Sequence, residues 1–435
     1  MTPIAMPARR VALALVLFAL SGQATRAETL EEAWELALQR DHALAAVRSQ
    51  AEAAGLDAQA ARAQRWPTVA VSGSYARLDD SPAFDFTWTG LPMTSPELFE
   101  DDELIVGAAS VTIPLYTSGR VASSIAAAEA RRRGAGAQVT AAISDLKLAV
   151  ADAYFNVLRT RKGLEVAQSS VRSLESLAQD TASMFERELV PKNESLAAQV
   201  ALANARQNEL RAANAAEVAL AAYNRRLGQP MERSVDLAEA LTTPASVPDS
   251  LETLTEQALE RRPELTMLDA HAEAYGQLAR TERSRTLPQF ALSGGYHYLE
   301  NRFLDDETVG VAGIGVQWAM FDGGQARKRA AALERTRKAT QQQRAESASV
   351  VELQVREYWL GVREARERVR VTAEAAAQAE ESLRIARERY GAGLGTHTQT
   401  LEAETMRVQA LGNRDDARLD ERLAELRLLR AAGML

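Results

Sequence analysis

LEEAWELALQRDHALAAVRSQAEAAGLDAQAARAQRWPTVAVSGSYARL, residues 30–78, aligns without a gap on LETLTEQALERRPELTMLDAHAEAYGQLARTERSRTLPQFALSGGYHYL, residues 251–299. The shift is 221, and 19 of the 49 positions are identical, among them Arg40/Arg261, Gly55/Gly276, Pro67/Pro288, Gly73/Gly294 and Tyr75/Tyr296. Residues 114–228 then align on 319–433 with a shift of 205, so the first copy carries 16 additional residues between Leu78 and Pro114. Each copy reads as a helix, two strand-like runs about a turn, and a very long helical stretch with one interruption. A unit with two strands leaves sheet edges open, so duplication and oligomerisation must together complete the sheet.

The strand-like runs alternate. In 68–78 Val69, Val71 and Tyr75 share one face and Ala70, Ser72 and Ser74 the other. In 105–116 Val111, Ile113 and Leu115 lie opposite Ser110 and Thr112. The second copy supplies 289–299 and 309–320. Ten to twelve residues suit a tilted transmembrane strand, with the small or polar face toward a lumen, although a soluble hairpin alternates in the same way. On the membrane reading Val111, Ile113 and Leu115 face lipid, and Trp318 lies near an interface. The loop at 79–104 holds eight acidic residues and no basic one, while its counterpart at 300–308 is short.

Tyr116-Thr117-Ser118-Gly119 and Phe321-Asp322-Gly323-Gly324 follow the hairpins, with Ser118 and Asp322 expected to cap the next helices. From 118 to 189 a continuous helix would be roughly 105 Å long. Its apolar stripe steps by four and three: Val139, Ile143, Leu146, Val150, Ala153, Val157, Thr160, Leu164, Ala167, Val171, Leu174, Ala178. The shift of 205 carries it onto Ala348 through Leu383. A sustained period of 3.5 requires a packed partner helix. The stretches 196–228 and 400–431 supply it, so each copy folds back as a long antiparallel hairpin with tips at 185–195 and 390–400. The resulting organisation is a leader at 1–27, a first repeat at 28–228 (β-hairpin 68–116, helical hairpin 118–228), a connector at 229–250, and a second repeat at 251–435 (β-hairpin 289–320, helical hairpin 323–432). A short strand is expected at 234–237.

Residues 1–27 have the form of an export signal: Arg9 and Arg10, an apolar run from Val11 to Leu20, then small residues. Ten apolar residues are too few for a spanning helix. Cleavage is expected after Ala24 or Ala27, with Ala27 preferred. Losing Arg9, Arg10 and Arg26 would take the net charge from −8 to −11. That balance gives no support for nucleic-acid binding. The chain has no cysteine, which excludes disulfides and an N-terminal lipid-anchored Cys. His42, His271, His297 and His397 show no metal-ligand spacing, no serine sits in a nucleophile elbow, and the glycine-rich runs 310–315 and 391–395 begin no phosphate-binding unit. No catalytic, cofactor or metal site is expected.

The chain resembles the TolC-like family of outer membrane efflux proteins over essentially all of its mature length. The residues carrying this are ALERRPEL at 258–265, Pro67 and Pro288 leading into strands, FDGG at 321–324, the glycine-rich turn after Tyr390, and ELVPKNESLAAQ at 188–199. The resemblance implies a mixed α/β membrane protein: a homotrimer giving four strands per chain to one twelve-stranded barrel, with helical hairpins forming a periplasmic α-barrel. It implies a passive conduit in an efflux or type I secretion system, in outer membrane lipid. A periplasmic adaptor (membrane fusion) protein and an inner-membrane pump of RND or ABC type would dock at the tips. Those tips carry Leu189, Val190, Pro191 and Lys192, and Gly393, Leu394, Gly395 and Thr396. The acidic rings that close the family's entrance fall on Gln399 and Glu402, and a basic latch falls on Gly395, so only Glu402 keeps the family's character. The alternative is a periplasmic coiled-coil scaffold or adaptor without a pore, which would need no detergent.

Overall fold

The computed structural model describes residues 27–79, 103–239, 250–300 and 305–435. Most of the expected leader, most of the acidic loop, residues 240–249 of the connector and residues 301–304 lie outside the described residues. The elements are α1 (Leu30–Arg40), α2 (His42–Ala63), β1 (Thr68–Arg77), β2 (Glu103–Tyr116), α3 (Arg120–Glu186), α4 (Lys192–Arg226), α5 (Leu251–Arg261), α6 (Pro263–Arg283), β3 (Gln289–Leu299), β4 (Thr308–Gln317), α7 (Gln325–Gly391) and α8 (His397–Ala431). β4 ends three residues short of the expected 320, so Trp318 lies just past the strand. The short strand expected at 234–237 is a single parallel bridge from Leu237 to Glu28.

Local chemistry sets the boundaries. Thr29 and Glu32 form a capping box that opens α1. Asp41 has extended backbone, and its Oδ1 accepts from the Leu44 N–H at 2.7 Å, ending α1 and starting α2. Pro263 makes the equivalent break between α5 and α6, because it cannot continue a helix. Asp322 caps as expected: its carboxylate accepts from the N–H groups of Ala326 at 2.7 Å and Gly324 at 2.9 Å. Those bonds hold its carboxyl below the ordinary value. Ser118 does not cap. It sits at φ 50° and its hydroxyl donates to the Pro288 carbonyl, while the Thr117 hydroxyl accepts from the Val121 N–H.

The strands form one antiparallel sheet in the order β1-β2-β3-β4. Cross-strand partners share a face. The register therefore collects Val69, Val71, Tyr75, Ile105, Val111, Ile113, Leu292, Tyr296, Tyr298, Ile314 and Val316 on one face. Thr68, Ser72, Ser74, Ser110, Thr112, Ser293 and His297 lie on the other, together with Val106, Leu299, Val309 and Val311 toward the β3–β4 turn. A β-bulge at Pro114/Tyr116 interrupts the alternation. Leu115 is thus the additional residue, and Tyr116 faces Phe290, ring centroids 6.2 Å apart.

The chain divides into two compact units, each drawing corresponding parts from both repeats. The first takes in residues up to 46, 140–262 and 349–435. In it α4 runs back along α3 and α8 along α7, and Arg206–Glu175 and Arg366–Glu425 mark the two pairings. α8 also runs antiparallel to α3, with Asp152–Arg427, Arg159–Asp416, Arg159–Asp420 and Ser173–Glu404 in succession. Val150, Val157, Tyr154, Phe155, Tyr223 and Leu227 form its largest apolar cluster with Leu30, Ala33 and Ala37 of α1. The predicted stripe is buried or half-buried throughout in both copies. Each fully buried Val or Leu contributes about 1.5–3 kcal/mol, whereas an exposed ion pair contributes about 0–1. Apolar burial therefore carries the hairpins, and the ion-pair ladders fix their register.

The second unit takes in residues 47–139 and 263–348, including the sheet. Ala61, Val121 and Ile125 form its small apolar core, and Arg62–Glu129, Arg133–Glu273 and Arg283–Glu334 tie its helices together.

Candidate functional site

The two tips are built on one plan. At the end of α3 the N–H of Leu189 donates to the Met184 carbonyl and that of Glu188 to Phe185, with Glu188 at φ 60°. At the end of α7 the N–H of Leu394 donates to Arg389 and that of Gly393 to Tyr390, with Gly393 at φ 71°. Both are left-handed helix terminations that satisfy the last carbonyls and turn the chain sharply. Each turn presents one apolar residue to solvent: Leu189 is 69% exposed and Leu394 72%. Val190 and Gly395 are half-buried, Pro191 and Thr396 are the N-cap residues of α4 and α8, and Lys192 is exposed at the start of α4. Gly395 has little room, since a Cβ there would lie 3.2 Å from the Tyr390 nitrogen. Any side chain at this position would require the turn to give slightly.

Gln399 and Glu402 have different surroundings. The Gln399 side-chain oxygen accepts from the Thr396 N–H at 3.2 Å, while the Gln399 backbone N–H donates to the Thr396 hydroxyl. Gln399 thus completes a capping box. Glu402 is exposed one turn further along α8.

Behind this turn α8 buries polar groups that reading the sequence missed. Glu404 is 3% exposed. Its carboxylate accepts from Arg407 at 2.7 Å and from the Ser173 hydroxyl of α3 at 2.6 Å, with Arg387 of α7 at 3.6 Å. Tyr390 donates its hydroxyl to Glu194 of α4 at 3.3 Å, and burial pushes its pKa up. Glu404, Arg407, His397 and Thr400 occupy the three-and-four spacing where a helical hairpin ordinarily places apolar residues. Polar residues in those places were the available signal.

The sheet of the second unit carries a separate candidate surface. Its apolar face has Tyr75, Tyr296 and Tyr298 toward one end and Phe290 and Tyr116 toward the other. Phe290 and Tyr298 are eight residues apart, about 26 Å along a strand and about 20 Å across a bilayer at a ~40° tilt. Trp318, half exposed past β4, donates its indole N–H to the Thr286 carbonyl at 3.1 Å. Among the described residues no helix is long and apolar enough to cross a membrane, and no cluster of three or more His, Cys, Asp or Glu is placed to hold a metal.

A four-stranded sheet with one apolar, aromatic-flanked face and two open edges, carried with two long helical hairpins on one chain, has the make-up of a membrane channel assembled from several copies. The chain belongs to the outer membrane efflux protein family, whose pattern it matches over residues 33–229 and 254–434. It is 23% identical to the outer membrane protein TolC of Vibrio cholerae over 420 residues, covering 94% of this chain and 91% of that one. Its fold is similar to VceC of Vibrio cholerae, with a TM-score of 0.80, 19% identity, and 93% and 96% of the two chains covered. It is also similar to the outer membrane channel CmeC of Campylobacter jejuni, with a TM-score of 0.79, 14% identity, and 93% and 85% covered. The open state of the MtrE channel of Neisseria gonorrhoeae superposes with a TM-score of 0.74, 17% identity, and 93% and 88% covered. The expected family and fold class hold, and the outer membrane is its place.

Proposed function

We propose that three copies of this chain close one twelve-stranded barrel and form the outer membrane conduit of a tripartite efflux or type I secretion system. The observation that carries this reading is the sheet. β1 and β4 are its outer strands, each with one edge unpaired within the described sheet, and its apolar face is flanked by aromatic rings. An open edge in lipid leaves backbone groups unsatisfied, so the sheet must close. The strands alternate in direction, so β4 of one copy meets β1 of the next antiparallel, and closure requires no new topology. Val111, Ile113, Leu115 and Trp318 then belong to the lipid side, and Ser110 and Thr112 to the lumen. The exposed Leu189 and Leu394 suit docking of an adaptor's apolar residues, and energy comes from an inner-membrane pump. Cross-linking and mass measurement of the detergent-extracted protein should give three copies. A stable monomer with a closed barrel, or a protein soluble without detergent, overturns the assembly.

The same reading makes Glu402 the charged ring of the narrow periplasmic mouth. Three carboxylates between low-dielectric helix walls focus the field and favour cations. Gln399 contributes no second ring, since it is neutral and engaged with Thr396. Glu402→Ala is expected to lower cation preference and divalent-ion block in planar-bilayer recordings while leaving trimers intact. Unchanged selectivity and block would place the constriction elsewhere.

A further inference from the structure

The second tip buries what the first leaves in solvent. His397, the first residue of α8, is 4% exposed, and neither ring nitrogen has a hydrogen-bond partner. Thr400, one turn on, is 1% exposed, and its hydroxyl is also unpartnered. The imidazole lies 5.7 Å from the Tyr390 ring of α7, centroid to centroid, and Tyr390 in turn donates to Glu194 of α4 and pairs with Thr181 of α3. The imidazole thus seats the first turn of α8 against Tyr390 of α7, beside the Glu194 carboxylate of α4. The corresponding residue of the first tip is Lys192, which is exposed.

We propose that His397 is an acid-sensitive latch of the tip: neutral, it seats the start of α8 against Tyr390 and Glu194, and on taking a proton it drives that turn out of the helix packing and widens the channel mouth. The inference rests on the channel reading above. Burial disfavours the imidazolium and holds the ring's pKa below the ordinary histidine value, and the positive end of the α8 dipole acts in the same direction. Glu194 opposes this as the smaller influence, its carboxylate already accepting from Tyr390. Tyr390 faces the ring from α7, and Asp180 of α3 acts on Tyr390. A turn released to solvent regains the ordinary value of about 6.5. The seated state is therefore favoured above that pH and loses ground as pH falls below it, until the seated imidazole itself titrates. Each pH unit shifts the ratio by up to about tenfold per protomer, and about a thousandfold if three move together.

Full-length trimers in planar bilayers, acidified on the tip side from about pH 7.5 to about pH 5.5, test it. Open probability is expected to rise by about tenfold or more. His397→Phe keeps a ring on Tyr390 but cannot titrate, so it should abolish the rise. The chain has four histidines, so a variant carrying His42→Gln, His271→Gln and His297→Gln leaves only His397 and should also keep the rise. That variant decides the matter even if His397→Phe fails to assemble. Conductance without an acid-dependent component in the parent or the triple variant, or a component that His397→Phe retains, overturns the latch. No conductance at any pH overturns the channel reading itself.

Discussion

Ile113→Arg is expected to block insertion of the barrel, while Thr112→Arg, one residue away, is tolerated. Ile113 pairs with Leu292, which pairs with Ile314, so all three share the apolar face, one inward-to-outward repeat from its Phe290 end. Thr112 pairs with Thr68 and Ser293 on the other. A cation on the lipid side costs about 2–4 kcal/mol at mid-bilayer and less toward an interface, and the same cation in a wet lumen costs little. Three protomers incur that penalty together. The readout is the amount of heat-modifiable trimer in outer membrane fractions. If Ile113→Arg inserts normally and Thr112→Arg fails, the faces are inverted.

Glu404→Ala should be the most destabilising single change at the tips. It leaves Arg407, itself 9% exposed, with Ser169 but without its carboxylate, and breaking a buried ion pair from one side costs about 3–5 kcal/mol. Replacing both partners, Glu404→Leu with Arg407→Leu, removes the charge along with its counter-charge and should cost far less, since Val171, Leu174 and Leu401 line the neighbouring core. Hydrogen exchange of α8 amides around residues 400–411 resolves the two cases, because it reads local opening directly. Equal losses in the single and double variants would show that the pair is not coupled in the assembled tunnel.

The sequence by itself determined the elements and their repetition. A period of 3.5 sustained over both long stretches leaves only helices with packed partners. A period of two over ten residues leaves strands, and Pro67 and Pro288 mark breaks that no tertiary contact can undo. These readings succeed because they depend on neighbours a few residues apart. The tertiary structure decided whatever depends on residues brought together from a distance. Ser118 gave up its expected cap because the Pro288 carbonyl, 170 positions away, offered its hydroxyl a partner. Leu115 became a bulge because Tyr116 pairs with Phe290 of β3. His397 and Glu404 stand at heptad-spaced positions, but which partners they gain or lose was decided only when α3, α4 and α7 closed around them.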